Sequence, residues 1–150
     1  MKRKINGPIY LFAFWVLVMA GASSAPAEST GNLIIHINGF PSSDGFAMVA
    51  LHSSEESYKG EEDTAVAKTR AKVVNQEARV IFENLAYGWY GVSIFHDENA
   101  NMKMDKNAMG IPKEAYGFSN DAKGFFGKPD YEHIKFQLNS AEKQINIHLH

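Results

Sequence analysis

An all-β fold, built as a single-domain antiparallel sandwich of about seven short strands, is the architecture this sequence predicts. Three observations carry it. Apolar residues recur mainly with a period of two, short polar or glycine-bearing turns separate the runs, and no long amphipathic helix is present.

The elements follow in order. Leu33, Ile35 and Ile37 alternate with Asn32, His36 and Asn38, and Phe46 to Leu51 is an apolar run ahead of His52-Ser53-Ser54, so both read as strands. Ser53 to Thr64 carries four Glu and one Asp without apolar periodicity and reads as a solvated loop. Val66 to Val74 alternates loosely, Ala78 to Phe82 is rich in strand formers, and Trp89 to Phe95 follows a Gly88 turn with aromatic and β-branched residues. Near the end Ile134, Phe136 and Leu138 alternate, as do Ile145, Ile147 and Leu149. Pro41 to Gly45, Asn75-Gln76, Tyr87-Gly88 and Asn139-Ser140 supply the turns. A sandwich of immunoglobulin-like or transthyretin-like type follows, with one long loop before the last two strands.

The N-terminus has the three parts of a secretory signal peptide. Lys2, Arg3 and Lys4 are followed by an apolar run from Ile9 to Ala20 and by small residues from Gly21 to Ala27. The run is shorter than the roughly 20 residues a membrane-spanning helix needs. Cleavage is expected after Ala27, which leaves one domain over residues 28–150 in the periplasm or outside the cell. The chain has no cysteine, which excludes a disulfide framework and a lipid-anchored cysteine. Loss of the three basic residues leaves 12 Lys and Arg against 17 Asp and Glu. Nucleic acid and membrane surfaces are therefore not expected partners after signal cleavage.

The segment from Asp97 to Asp105 carries the most specific chemistry. Asp97, Asn99, Asn101 and Asp105 stand at relative positions 1, 3, 5 and 9, the spacing at which side-chain oxygens of a curled loop converge on calcium, with the Lys103 carbonyl at position 7. The twelfth position is Ala108, so the bidentate glutamate of an EF-hand is missing, and Glu114 is the candidate that reaches in from a distance. With two or three formal charges, such a site has the weak affinity of extracellular modules, on the order of 0.1 to 1 mM. The competing reading is a metal-free network in which Asp97, Asn99 and Asn101 cap their own backbone. On the calcium reading, Asp97→Ala loses stability only when calcium is present.

The wider segment from Asp97 to Glu132 has little strand character but holds Ile111, Tyr116, Phe118, Phe125, Phe126 and Tyr131, too apolar to be left in water. Together with Tyr58, these rings are either a small core or a face for a carbohydrate or peptide, with Asn120 and Asp121 giving polar specificity. A core buries the rings; a binding face leaves at least two exposed together. An envelope-scaffold role using a sandwich edge is a third reading. Catalysis is not expected, since Ser119 lacks a Gly-x-Ser-x-Gly context and no pattern pairs it with His96 and an acid. His96 is expected to fix the loop by hydrogen bonding. His148 and His150, two apart on a terminal strand, read as polar edge residues before they read as zinc or copper ligands.

Several of these stretches form a compound signature. Phe82-Glu83-Asn84-Leu85, Gly88-Trp89-Tyr90, His96-Asp97-Glu98-Asn99 and the run from Gly110 to Asn120 resemble a bacterial exported family, domain of unknown function 2141. The resemblance implies an exported β-sandwich and no established activity. The Phe82, Leu85, Gly88 and Tyr90 spacing is also similar to a hairpin of carboxypeptidase-regulatory-like and transthyretin-like modules, which are usually accessory. Two residues depart from the family pattern. Met102 and Ala115 stand where the family tends to have glycine, and Met102 occupies the sharp turn of the calcium loop.

Overall fold

The computed structural model describes residues 29–60, 64–125 and 127–150. The expected signal peptide over 1–27, Glu61 to Asp63 and Phe126 lie outside the described residues.

Eight strands form among the described residues: β1 Thr30–Asn38, β2 Phe46–His52, β3 Ala67–Lys72, β4 Ala78–Ala86, β5 Gly88–Asp97, β6 Tyr116–Phe118, β7 Phe136–Leu138 and β8 Glu142–His148. One sheet has the order β4-β1-β8 and the other β3-β2-β5-β6, with β7 also paired to β5. The all-β sandwich holds, with one strand more than expected because β6 lies inside the long loop. Most ladders are antiparallel, but β8 runs parallel to β1, so Asn139-Ser140 carries the chain from one sheet to the other instead of closing a hairpin. Asn75 and Gln76, at φ 52° and 60°, form a tight turn between Val74 and Glu77 that links β3 to β4 across the sheets.

The inward residues of the two sheets make the main core. Leu33, Ile35 and Ile37 from β1 meet Ala47, Val49 and Leu51 from β2 and Val92 and Ile94 from β5. Each fully buried aliphatic side chain contributes about 1.5–3 kcal/mol. At one corner the chain end closes the sandwich, since His150 and Tyr116 exchange both backbone hydrogen bonds.

A second cluster of Tyr58, Phe118, Tyr131 and Ile134 sits on the outer face of the second sheet. It explains two departures from expectation. Residues 53–64 are not simply a solvated loop: α1 Glu55–Lys59 forms there, its Ser54 cap accepting the Ser57 N–H, and it buries Tyr58. A helix of one turn anchored by one ring has no periodicity to detect. Likewise Ile134 ends a second short helix, α2 Tyr131–Ile134, instead of opening a strand, and packs over Gly91, where a Cβ would lie 2.7 Å from the Ile134 Cδ1.

Candidate functional site

β5 ends at Asp97, and the site begins there. Asp97 is fully buried. Its Oδ1 accepts the Asn101 N–H at 3.0 Å and its Oδ2 the Met102 N–H at 2.8 Å, so one carboxylate curls the next five residues back over the strand end. The curl continues in steps of two: Asn99 Oδ1 accepts the Asn101 N–H at 3.1 Å, and Asn101 Oδ1 accepts the Lys103 N–H at 2.8 Å. Ala100 and Met102 take the left-handed backbone, at φ 58° and 66°. Met102 is the sixth residue of the loop, where calcium loops carry glycine for a sharp turn.

The other end is held by two further acids. Asp105 receives the Asn99 Nδ2 at 2.7 Å and the Asn101 Nδ2 at 3.1 Å, one on each carboxylate oxygen. Glu114 accepts the Asp105 N–H at 3.0 Å on one oxygen and the Glu98 N–H at 3.3 Å on the other, so it ties both ends of the loop together. A backbone bond from Lys113 N–H to the Asp105 carbonyl, at 2.8 Å, completes the base. The predicted positions Asp97, Asn99, Asn101, Lys103, Asp105 and Glu114 thus belong to one hydrogen-bonded loop.

The donor set fits a hard cation in kind: carboxylate, amide and backbone oxygens and no sulfur or imidazole. The side-chain oxygens of Asp97, Asn99 and Asn101 each retain lone pairs beyond those given to the backbone. The amides facing Asp105 present nitrogen, so in this arrangement Asp105 is occupied by Asn99 and Asn101. No cluster of three or more His, Cys, Asp or Glu suited to a metal occurs among the described residues.

His96, buried beside Asp97, points away from the loop. Its Nε2 donates to the Asp44 carbonyl at 2.7 Å and its ring meets Phe40 edge-on at 5.0 Å, which fixes the 41–45 turn against the strand. Gly45 belongs to the same contact: at φ +64° it leaves room for the Asp97 carbonyl, which a Cβ would approach to 1.9 Å.

Ser119 is fully buried; its Oγ accepts the Val92 N–H at 2.9 Å and donates to the Ile134 carbonyl at 2.5 Å. Among the rings of the 116–131 segment, Phe118 and Tyr131 are buried with Tyr58, Tyr116 is half-buried, and Phe125 is 93% exposed. His148 Nδ1 meets the Asn38 Oδ1 at 2.6 Å, whereas the His150 ring lies beside Tyr116, so the two imidazoles take separate partners.

Sequence reasoning missed His52. Its Nδ1 donates to the Ser57 carbonyl at 2.9 Å, and its Nε2 accepts the Ser93 hydroxyl at the same distance. Burial holds its pKa below the usual histidine value, against the opposing Ser57 hydrogen bond and with help from the charges of Lys128 and Lys68. Only the pairing of β2 with β5 brings Ser93 to it, and a linear pattern does not carry that.

No curated protein and no solved structure matches the chain. Residues 35–146 match the family described as uncharacterised proteins conserved in bacteria, domain of unknown function 2141, and the chain belongs to that family.

Proposed function

We propose that this is an exported, non-catalytic β-sandwich domain whose 97–114 loop takes one calcium ion, weakly, to stabilise the fold. The supporting observation is the curl at Asp97: its carboxylate already receives the fifth and sixth N–H groups of the loop, with left-handed Met102 at the turn. Asp97, Asn99, Asn101, Asp105, the Lys103 carbonyl and Glu114 would hold the ion, which would neutralise carboxylates gathered at the end of β5. The basic, apolar and small-residue segments of residues 1–27 support export to the periplasm or beyond. The structural employment of Ser119 and His96 supports a domain without a nucleophile or base.

A metal-free polar turn is the second reading, favoured by the two amide nitrogens on Asp105. Thermal unfolding in EDTA, in 10 mM calcium and in 10 mM magnesium separates the two. A ligand at ten to a hundred times its dissociation constant adds about 1.4–2.7 kcal/mol, a rise of several degrees in a domain of this size. A rise with calcium and not with magnesium supports the metal loop; identical curves in all three leave the closed turn network.

A further inference from the structure

β4 is an edge strand of the first sheet. Among the described residues it pairs with β1 on one side and with no strand on the other. The direction of its backbone groups follows from β1. The Asn32 N–H donates to the Ala141 carbonyl at 2.9 Å, and the Asn38 carbonyl accepts the Leu149 N–H at 2.9 Å, so the even residues of β1 turn their backbone towards β8 and the odd ones towards β4. Leu33, Ile35 and Ile37 stand opposite Phe82, Val80 and Ala78, and these are the pairs that exchange ladder hydrogen bonds. Arg79, Ile81 and Glu83 alternate with them and turn their N–H and C=O groups to the open edge, up to the shift of register opposite Asn32.

The side chains of the same three residues point away from the core. Ala78, Val80 and Phe82 are buried, whereas Arg79, Ile81 and Glu83 are exposed, Ile81 to 41%. An apolar side chain thus stands at the middle of the open edge, with a cation two residues before it and an anion two residues after. An edge of this kind is a template for another strand, and natural proteins that keep an edge unpaired blunt it with charge, lysine above all. β3, the neighbouring edge in the other sheet, is blunted in this way, since its exposed residues Lys68, Arg70 and Lys72 are all basic. β4 is not.

We propose that β4 pairs antiparallel with β4 of a second copy of this chain, about a two-fold axis at Ile81, so that the two β4-β1-β8 sheets become one. Side-chain complementarity selects the register. With Ile81 opposite its own copy, Arg79 of each chain stands opposite Glu83 of the other, and the outward N–H and C=O groups of all three residues are paired. Val80 and Phe82 then meet across the inner face and extend the core. Moving the axis to Val80 sets Ile81 against Arg79 and Glu83 against Glu77; moving it to Phe82 sets Ile81 against Glu83, and either shift loses both charge pairs. The same operation on β3 would set Arg70 against Arg70 and Lys68 against Lys72, cation against cation. The β4 contact closes on itself and so ends at a dimer.

Sedimentation equilibrium of the full chain in EDTA, from about 1 to about 500 μM to reach the range of small, transient contacts, tests this. EDTA removes calcium from the measurement, so the metal-loop reading and this one fail separately. A reversible equilibrium between monomer and dimer is expected. Arg79→Glu and Glu83→Arg each set like charges opposite one another at both ends of the ladder and should weaken the dimer at least about tenfold. The exchange Arg79→Glu/Glu83→Arg keeps the net charge, restores both pairs and should dimerise within about threefold of the parent. Each variant is checked for an unchanged circular dichroism spectrum. In the parent protein, amide hydrogen exchange at Arg79, Ile81 and Glu83 should slow as concentration rises, because their N–H groups turn to the open edge. A chain that stays monomeric at every concentration overturns the proposal. So does a dimer that the single variants leave unchanged, that the exchange fails to restore, or that forms without slowing these three amides, since each result puts the contact elsewhere or in another register.

Discussion

Replacing Met102 with glycine should stabilise the protein. Residue 102 sits at φ 66°, and a side chain with a Cβ pays about 1–2 kcal/mol for that left-handed conformation. The Met102 side chain is 60% exposed, so its removal gives up little burial. Glycine returns part of the gain through its larger freedom in the unfolded chain, about 0.5–1 kcal/mol. The net is a stabilisation of about 0.5–1 kcal/mol, or about 2–6 °C in Tm for a domain of this length. Differential scanning calorimetry in EDTA reads it, with Met102→Ala as the control that shortens the side chain but keeps the Cβ. Met102→Ala should melt within about 1 °C of the parent, since surface truncations are usually within about 0.5 kcal/mol. If Met102→Gly melts no higher than Met102→Ala, residue 102 does not hold the left-handed turn and the account of the loop's curl is wrong.

Asp97→Ala strands the Met102 N–H and leaves the Asn101 N–H only the Asn99 Oδ1, so it should cost about 1–3 kcal/mol even in EDTA, and it should also abolish any rise produced by calcium. The first part amends the expectation from sequence that the loss needs calcium; urea unfolding with and without calcium measures both parts. Gly45→Ala should be more damaging still, because its Cβ would meet the Asp97 carbonyl and its φ is left-handed, and soluble yield with thermal melting would report it. Ser119→Ala leaves the buried Val92 N–H and Ile134 carbonyl unpaired and should lower stability by about 1–3 kcal/mol; an unchanged melting curve would mean other partners satisfy them. Burial lowers the His52 pKa below 6.5, so the unfolded state binds more protons there and stability should fall as pH drops from 7 towards 5. Denaturant titrations across that range should show a shallower fall for His52→Gln.

What the sequence made legible follows a physical division. Leu33, Ile35 and Ile37 could be placed in the core from alternation alone, because a period of two needs no knowledge of the partner strand. The loop from Asp97 was legible for the same local reason, since oxygens at alternate positions interact with backbone only a few residues away. Partner choice was not legible. The parallel pairing of β8 with β1 and the single turn of α1 rest on long-range burial, of Ile147 in one case and Tyr58 in the other. Glu114 was suspected as a ligand, but its hold on the Glu98 N–H spans 16 residues, a distance at which spacing no longer constrains geometry. His96 does fix a loop, although the one it fixes is the 41–45 turn.

The placement of the loop follows from one strand. Along β5, Val92, Ile94 and His96 face inward while Ser93 and Phe95 face out, and Asp97, of the same parity as Ser93 and Phe95 yet fully buried, is where the strand stops and the curl starts. A carboxylate buried at a strand end has to find donors at once, and the nearest are the N–H groups of the residues that follow. Their capture turns the chain back at the end of β5. The burial of the Asp97 carboxylate is therefore what holds the loop. An uncharged, apolar residue at 97 would offer the Asn101 and Met102 N–H groups no acceptor, and the chain would lose the contacts that turn it back over the sheet.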